Sequence, residues 1–89
     1  MQFTETRVSG AVVIDLEPRQ DARGFFARML CRQEFEGHGL QSDFVQWNNS
    51  YSVSRGTLRG LHYQTTPHEE AKVVRCIGGA VFDVVADVR

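Results

Sequence analysis

The segment KVVRCIGGAVFDVVADV, residues 72–88, carries the strongest fold signal in the chain. Two β-prone apolar runs, residues 72–77 and 80–88, flank a pair of glycines, and this arrangement is typical of a β-hairpin. A two-residue turn would pair Lys72 with Val85 and Val74 with Asp83. Both faces of the hairpin are rich in apolar side chains, so the sequence predicts strands that are covered on both sides.

The rest of the chain repeats this alternation of apolar and polar residues between turn signals. One short helix is predicted at residues 32–36, and Gly37 and Gly39 end it. Strands are predicted over residues 7–17, 25–30, 44–53, 57–64, 72–77 and 80–88. The pattern is all-β and typical of a sandwich or barrel. It has fewer strands than the roughly eight of a closed jelly roll, so we expect a partial barrel, truncated before its second half.

Composition limits the class of protein. With 89 residues, 42% hydrophobic and 24% charged, the chain is predicted to form a single partial domain over residues 1–89. Its net charge of −1 gives no overall field that favours nucleic acid or an anionic membrane, and no apolar run is long enough for a membrane span. Cys31 and Cys76 lack metal-ligand spacing, which predicts two reduced thiols in a cytoplasmic protein, with a disulfide as the alternative.

A domain of this size covers too little of its own surface for a wide β-structure to stand alone. The sequence therefore predicts that a partner or a further segment completes the sheet, and that the chain is the first half of something larger.

Polar side chains that could bind a ligand cluster in two places. Gln46, Asn48 and Ser50 alternate, so they would share one face of a strand, either as a ligand groove or as a solvated surface. His62 stands between Leu61 and Tyr63, where it could be a general base or a structural residue. Gln64 occupies the second position of a His-x-His pair, so no metal site is predicted.

Three cations could hold an anion in spite of the negative net charge: Arg23, Arg59 and Lys72. In the alternative, purely structural roles, Arg23 makes a turn contact and Lys72 forms a cross-strand ion pair with Asp83. Arg59 and His62 are three residues apart and would point to opposite faces of a regular strand. They can share a site only if the backbone bulges, and Gly60 is the natural position.

Five segments, in this order and spacing, resemble the dTDP-4-dehydrorhamnose 3,5-epimerase family: DARGFF (21–26), FVQWNNS (44–50), RGTLRGLHYQ (55–64), KVVR (72–75) and GAVFDV (79–84). The resemblance covers nearly all of the chain and about the first half of a typical member. It implies a cupin fold, which is a jelly-roll double-stranded β-helix, with no metal and no cofactor. It also implies a dTDP-4-keto-6-deoxy sugar substrate and a homodimer formed by strand exchange.

The resemblance assigns a role to each candidate residue. His62 matches the catalytic base and Lys72 the lysine that stabilises the enolate oxygen, while the substrate contacts are Arg23, Phe26, Gln46, Asn48 and Arg59. Arg28 stands where the family typically has a glutamate. The family's proton-donating tyrosine and the aspartate that orients its histidine match no residue of this chain. A non-catalytic nucleotide-sugar-binding cupin and an inactive truncated remnant therefore remain alternatives.

Overall fold

The computed structural model describes all 89 residues and divides them into two compact units. The first unit comprises Met1–Asp43 and Cys76–Arg89, and the second comprises Phe44–Arg75. All regular secondary structure lies in the first unit, in the order β1 (Gln2–Glu5), β2 (Val12–Asp15), β3 (Arg19–Asp21), β4 (Gly24–Phe26) and α1 (Arg32–Gly37). The prediction of a mostly-β chain with one short helix is confirmed, and the barrel is not closed.

Strands β1 and β2 form an antiparallel hairpin in which Gln2 lies opposite Asp15 and Glu5 opposite Val12. The Thr6 hydroxyl organises the turn, because it donates to Ala11 O at 2.8 Å and accepts from Val8 N at 3.1 Å. Residues 7–11 were predicted to begin a strand, but they form this turn instead. A hydroxyl that bonds to nearby backbone groups competes with strand pairing, which explains the difference.

Strands β3 and β4 form a second antiparallel hairpin, with Arg19 opposite Phe26 and Asp21 opposite Gly24. The Asp21 carboxylate accepts from Arg23 N at 2.8 Å, a bond that closes the turn between the strands. The predicted turn at residues 21–24 is therefore present. The strand that follows it ends at Phe26, four residues earlier than predicted.

The core of the first unit is the ring of Phe35, which is 1% exposed. Phe3, from β1, meets the Phe35 ring edge-on at a centroid distance of 5.8 Å and stacks on His38 at 3.9 Å. Helix α1 matches its predicted position within one residue. It ends where Leu40 N donates to Phe35 O at 2.9 Å, with Gly39 at a φ of +70°, so the helix terminus and the core share one residue.

Four predicted strands, residues 44–53, 57–64, 72–77 and 80–88, are wrong as strands, because none forms a backbone ladder. The turn predicted at Gly78-Gly79 is present as a bend, with Gly79 at a φ of +77°. The β-prone side chains of these segments remain exposed, as for Val45 at 93% and Phe82 at 95%. An alternating pattern makes a strand only where a neighbouring strand pairs with it. No helix of the chain is long and apolar enough to cross a membrane.

The last residues of the chain lie beside the β1–β2 turn in the first unit. Arg89 Nη2 donates to Ser9 O at 2.8 Å, and Arg89 also pairs with Asp87 at 2.8 Å. The hydrogen bonds from Arg89 lower the pKa of the Asp87 carboxyl to about 2. A shallow cleft of about 310 Å³ lies between the two segments, residues 8–11 and 85–89.

We expect Phe35→Ala to destabilise the first unit by about 3 kcal/mol or more, because the substitution removes its one fully buried side chain. Phe25→Ala is the matched control, since that ring is 64% exposed and its loss should cost well under 1 kcal/mol. Urea denaturation followed by circular dichroism measures both. Equal losses of stability in the two variants would contradict a core centred on Phe35.

Candidate functional site

The predicted site residues fall into two sets. Arg23 and Phe26 lie in the first unit. The second unit, Phe44–Arg75, contains the five others: Gln46, Asn48, Arg59, His62 and Lys72.

Arg59 is held against the segment that follows the polar cluster of the second unit. Its Nη2 donates to Tyr51 O at 2.9 Å, and its Nε donates to Ser52 Oγ at 3.1 Å. A turn brings these groups together, because Thr57 Oγ1 donates to Ser54 O at 2.7 Å. The guanidinium is therefore oriented by the backbone of its own unit, and orientation of this kind favours recognition of planar or anionic groups.

The imidazole of His62 lies over Gly60. A Cβ atom added to Gly60 would stand 3.3 Å from His62 Nδ1 and 3.4 Å from the His62 backbone nitrogen. Gly60 has a φ of +95°, in the left-handed region that favours glycine. The backbone is thus irregular at Gly60, as predicted, although this irregularity lies in a loop and not in a bulged strand.

Lys72 pairs with a carboxylate that the sequence analysis missed. Its Nζ lies 3.3 Å from Glu70 Oε1, so the lysine forms a local ion pair and not the cross-strand pair with Asp83 that was one of the alternatives. With its amide nitrogen towards Glu70, Gln64 donates to the two carboxylate oxygens at 2.7 and 3.1 Å. The sequence did contain a signal for this pair, because Glu70 lies two residues before Lys72 in a polar loop. A contact so close in sequence does not depend on strand register.

Gln46 and Asn48 are exposed, and their segment is not a strand. The prediction that alternation places them on one strand face is therefore wrong, for the reason given for the other unpaired segments. Both amides remain accessible to a ligand in the second unit.

In the first unit, Arg23 and Phe26 line one shallow cleft of about 240 Å³, together with Arg19, Asp21, Gly24 and Phe25. Arg23 Nη2 lies 2.7 Å from Asp21 Oδ2. Hydrogen bonds from the Arg23 side chain and backbone lower the pKa of the Asp21 carboxyl. The guanidinium is oriented but exposed, and the Phe26 ring is 76% exposed, so the cleft offers a cation and an aromatic face to the same ligand.

Arg28 is engaged with the helix that follows it. Its Nη1 lies 3.0 Å from Glu34 Oε2, and the hydrogen bond from Arg28 lowers the pKa of the Glu34 carboxyl. The Met1 amino group lies 3.5 Å from the other oxygen of Glu34. The position that is typically acidic in the resembling family is thus a cation here, and it is neutralised within the first unit.

No group of three potential metal-ligating side chains comes together in the structure. The expectation that the site needs no metal stays a prediction.

The chain forms strands and one short helix without a closed barrel, which is consistent with part of a cupin-like, all-β fold. The family model described as dTDP-4-dehydrorhamnose 3,5-epimerase matches residues 5–89, and the chain belongs to that family.

Curated relatives agree with this assignment, and each is named dTDP-4-dehydrorhamnose 3,5-epimerase. The relative from Methanothermobacter thermautotrophicus is 43% identical over 99% of this chain and 46% of its own length. That from Shigella flexneri is 40% identical over 100% of this chain and 49% of its own length. The relative from Mycolicibacterium smegmatis is 44% identical over 100% of this chain and 44% of its own length. The chain spans about half the length of the relatives it matches, and no solved structure matches it.

Gly60→Ala should displace the imidazole of His62, because the added methyl group would crowd Nδ1. The substitution also adds about 1–2 kcal/mol of backbone strain at a positive φ. Gly56→Ala is the matched control, since Gly56 has a φ of +78° but nothing lies within 4 Å of its added Cβ. The His62 ring signals in an NMR spectrum should move in the first variant only. A comparable shift in both variants would contradict the close approach at Gly60.

Arg23→Ala should raise the pKa of the Asp21 carboxyl part of the way towards its ordinary value, because it removes the side-chain hydrogen bond, the largest cause of the lowering, and keeps the backbone N–H bond. A carboxyl whose pKa is lowered by folding stabilises the fold above its unfolded pKa, and this contribution is lost as the pH falls through the folded value. The stability of the variant should therefore depend less on pH in the acid range, while Glu34 and Asp87 continue to contribute. Carboxyl-carbon NMR titration measures the change, with Arg19→Ala as the control that should leave Asp21 unaltered.

Proposed function

We propose that this chain takes part in the epimerisation of a dTDP-4-keto-6-deoxyhexose at C3, C5 or both. The observation that carries the proposal is the presence of His62, Lys72 and Arg59 in one compact unit of a chain that belongs to this family. The reaction class suits these residue types, because it needs a neutral base, a cation and an anion-binding group.

The chemistry starts from the acidity of the substrate. C3 and C5 both neighbour the C4 ketone, so a positioned base can remove a proton from either carbon. His62 takes that proton, and the electron pair of the broken C–H bond moves into the carbonyl to form an enolate. A positioned general base typically contributes about 10²–10⁴-fold to the rate.

Lys72 stabilises the negative charge that develops on the enolate oxygen. A donor aimed at the developing charge acts in the transition state, where it lowers the barrier most. Solvent water then gives a proton to the opposite face of the carbon, which forms the epimer, and the proton held by His62 passes to solvent. The reaction transfers only protons and changes no oxidation state, so it calls for no cofactor.

The remaining residues bind the substrate. Arg59 contacts the diphosphate, and Gln46 and Asn48 contact the sugar through their exposed amides. Arg23 and Phe26 contact the nucleotide, which agrees with the cation and aromatic ring that share a cleft in the first unit. The proposal includes a cytoplasmic homodimer formed by exchange of N-terminal strands. The free thiols of Cys31 and Cys76 support the reducing location.

Deuterium entry tests the reaction directly. The 89-residue chain is incubated with dTDP-4-keto-6-deoxyglucose in D₂O, and NMR follows the label at C3 and C5. We expect exchange above an enzyme-free control, and His62→Ala should lower its rate by about 10²-fold or more. Binding of dTDP should be retained in this variant.

His68→Ala is the matched control, because His68 lies in an exposed loop of the same unit and has no role in the proposed reaction. Binding of dTDP with no exchange would favour a nucleotide-sugar-binding cupin. If the folded chain shows no dTDP binding and no exchange, the result favours an inactive remnant. If His62→Ala loses both dTDP binding and deuterium exchange, His62 is a structural residue.

A further inference from the structure

Lys72 is the only lysine in the chain, and Glu70 is the residue that holds it. We propose that Glu70 is a positioning residue, which fixes the Lys72 ammonium relative to the end of the RGTLRGLHYQ segment. The inference rests on the proposed function, in which Lys72 stabilises the enolate oxygen, and it adds a residue to which neither the family assignment nor the sequence analysis gives a role.

Two groups converge on this carboxylate. Glu70 Oε1 lies 3.3 Å from Lys72 Nζ. With the Gln64 side-chain amide turned so that its nitrogen faces Glu70, that nitrogen donates to Glu70 Oε1 at 2.7 Å and to Oε2 at 3.1 Å. Gln64 is two residues from His62, so one carboxylate connects the lysine to the segment that carries the proposed base.

The loop between these residues is closed by its own hydrogen bonds. His68 N donates to Thr65 O at 2.8 Å, which turns the chain. Thr66 Oγ1 donates to the Glu69 carboxylate, and this bond lowers the pKa of Glu69. The turn brings the Glu70 carboxylate back to Gln64, six positions earlier. The two adjacent acids thus have separate partners: Glu69 binds the loop and Glu70 binds the lysine.

The arrangement explains how a long, half-exposed lysine could be aimed. An isolated surface ion pair contributes little, because two flexible side chains must be ordered to form it. Here Gln64 already restrains the carboxylate, so fewer rotamers of Glu70 remain to be fixed when the ion pair forms. The ammonium has three protons to donate, so it can face Glu70 and still donate to a substrate oxygen. Orientation of a catalytic group in this way increases the rate of the reaction.

The single lysine makes the test specific. In a chain labelled with ¹³C-lysine, Lys72 gives the only lysine Cε signal, and its relaxation reports how freely the side chain moves. Glu70→Ala should increase this mobility and shift the Gln64 side-chain amide signals. Glu69→Ala is the matched control, because it removes the neighbouring acid that binds Thr66. It should leave both signals as they are.

The same variants are then compared in deuterium exchange. We expect Glu70→Ala to lower kcat about 10-fold with little change in KM, because misorientation affects the reacting geometry more than binding. Glu70→Gln keeps an oxygen that accepts from Lys72, so it should restore part of the loss. Glu69→Ala should match the unsubstituted chain.

The outcomes separate the two proposals. If the unsubstituted chain shows no exchange, the proposed function fails for this chain, while the Lys72 signal still decides whether Glu70 orders the lysine. If Glu70→Ala and Glu69→Ala give the same Lys72 mobility and Gln64 signals, the positioning role is wrong whatever the activity. If mobility rises but kcat is unchanged in an active chain, Glu70 orders Lys72 without consequence for the reaction, and the proposal is overturned.

Discussion

Burial of the Phe35 ring is the interaction on which the first unit depends. It is the one fully buried side chain, and the groups around it tie separate elements together: Phe3 brings β1 to the helix, and Leu40 N bonds to the Phe35 carbonyl at the helix end. The two hairpin turns are ordered by local bonds, such as those of Thr6 and Asp21, and Arg89 adds one long-range bond to Ser9 O. In this small unit with one core ring, strands form only where the two partners are adjacent in sequence.

This constraint separates the parts of the fold that were predictable from those that were not. The helix at Arg32–Gly37 and the Asp21–Gly24 turn were predictable, because residues close in sequence decide them. The glycine pair at 78–79 likewise produces a bend. The strands predicted over residues 44–88 depend on backbone partners, and periodicity alone carries no information about which segment will pair. The pattern therefore identified segments suited to strands, and pairing decided which of them became strands.

The site divides in the same way. The resemblance assigned roles to His62, Lys72 and the arginines, and those roles stay a prediction. An irregular backbone at Gly60 was predicted because a regular strand would point Arg59 and His62 to opposite faces, and Gly60 does have a positive φ. Partners were harder to predict. One alternative paired Lys72 with Asp83, its diagonal neighbour in the predicted hairpin, whereas its partner is Glu70. A register error of this kind changes every cross-strand neighbour at once, but a contact two residues away is insensitive to register.

The local origin of the Glu70–Lys72 contact bears on how the second unit could work in catalysis. The groups that orient Arg59 and Lys72, namely Tyr51 O, Ser52 Oγ and Glu70, all belong to Phe44–Arg75. The His62 ring likewise lies close to Gly60 of the same segment. The three proposed functional groups are thus oriented by bonds and close approaches within Phe44–Arg75, without the long-range pairing that a closed barrel would add. Barrel closure would contribute something different: exclusion of water, which strengthens the interaction between a cation and a developing enolate.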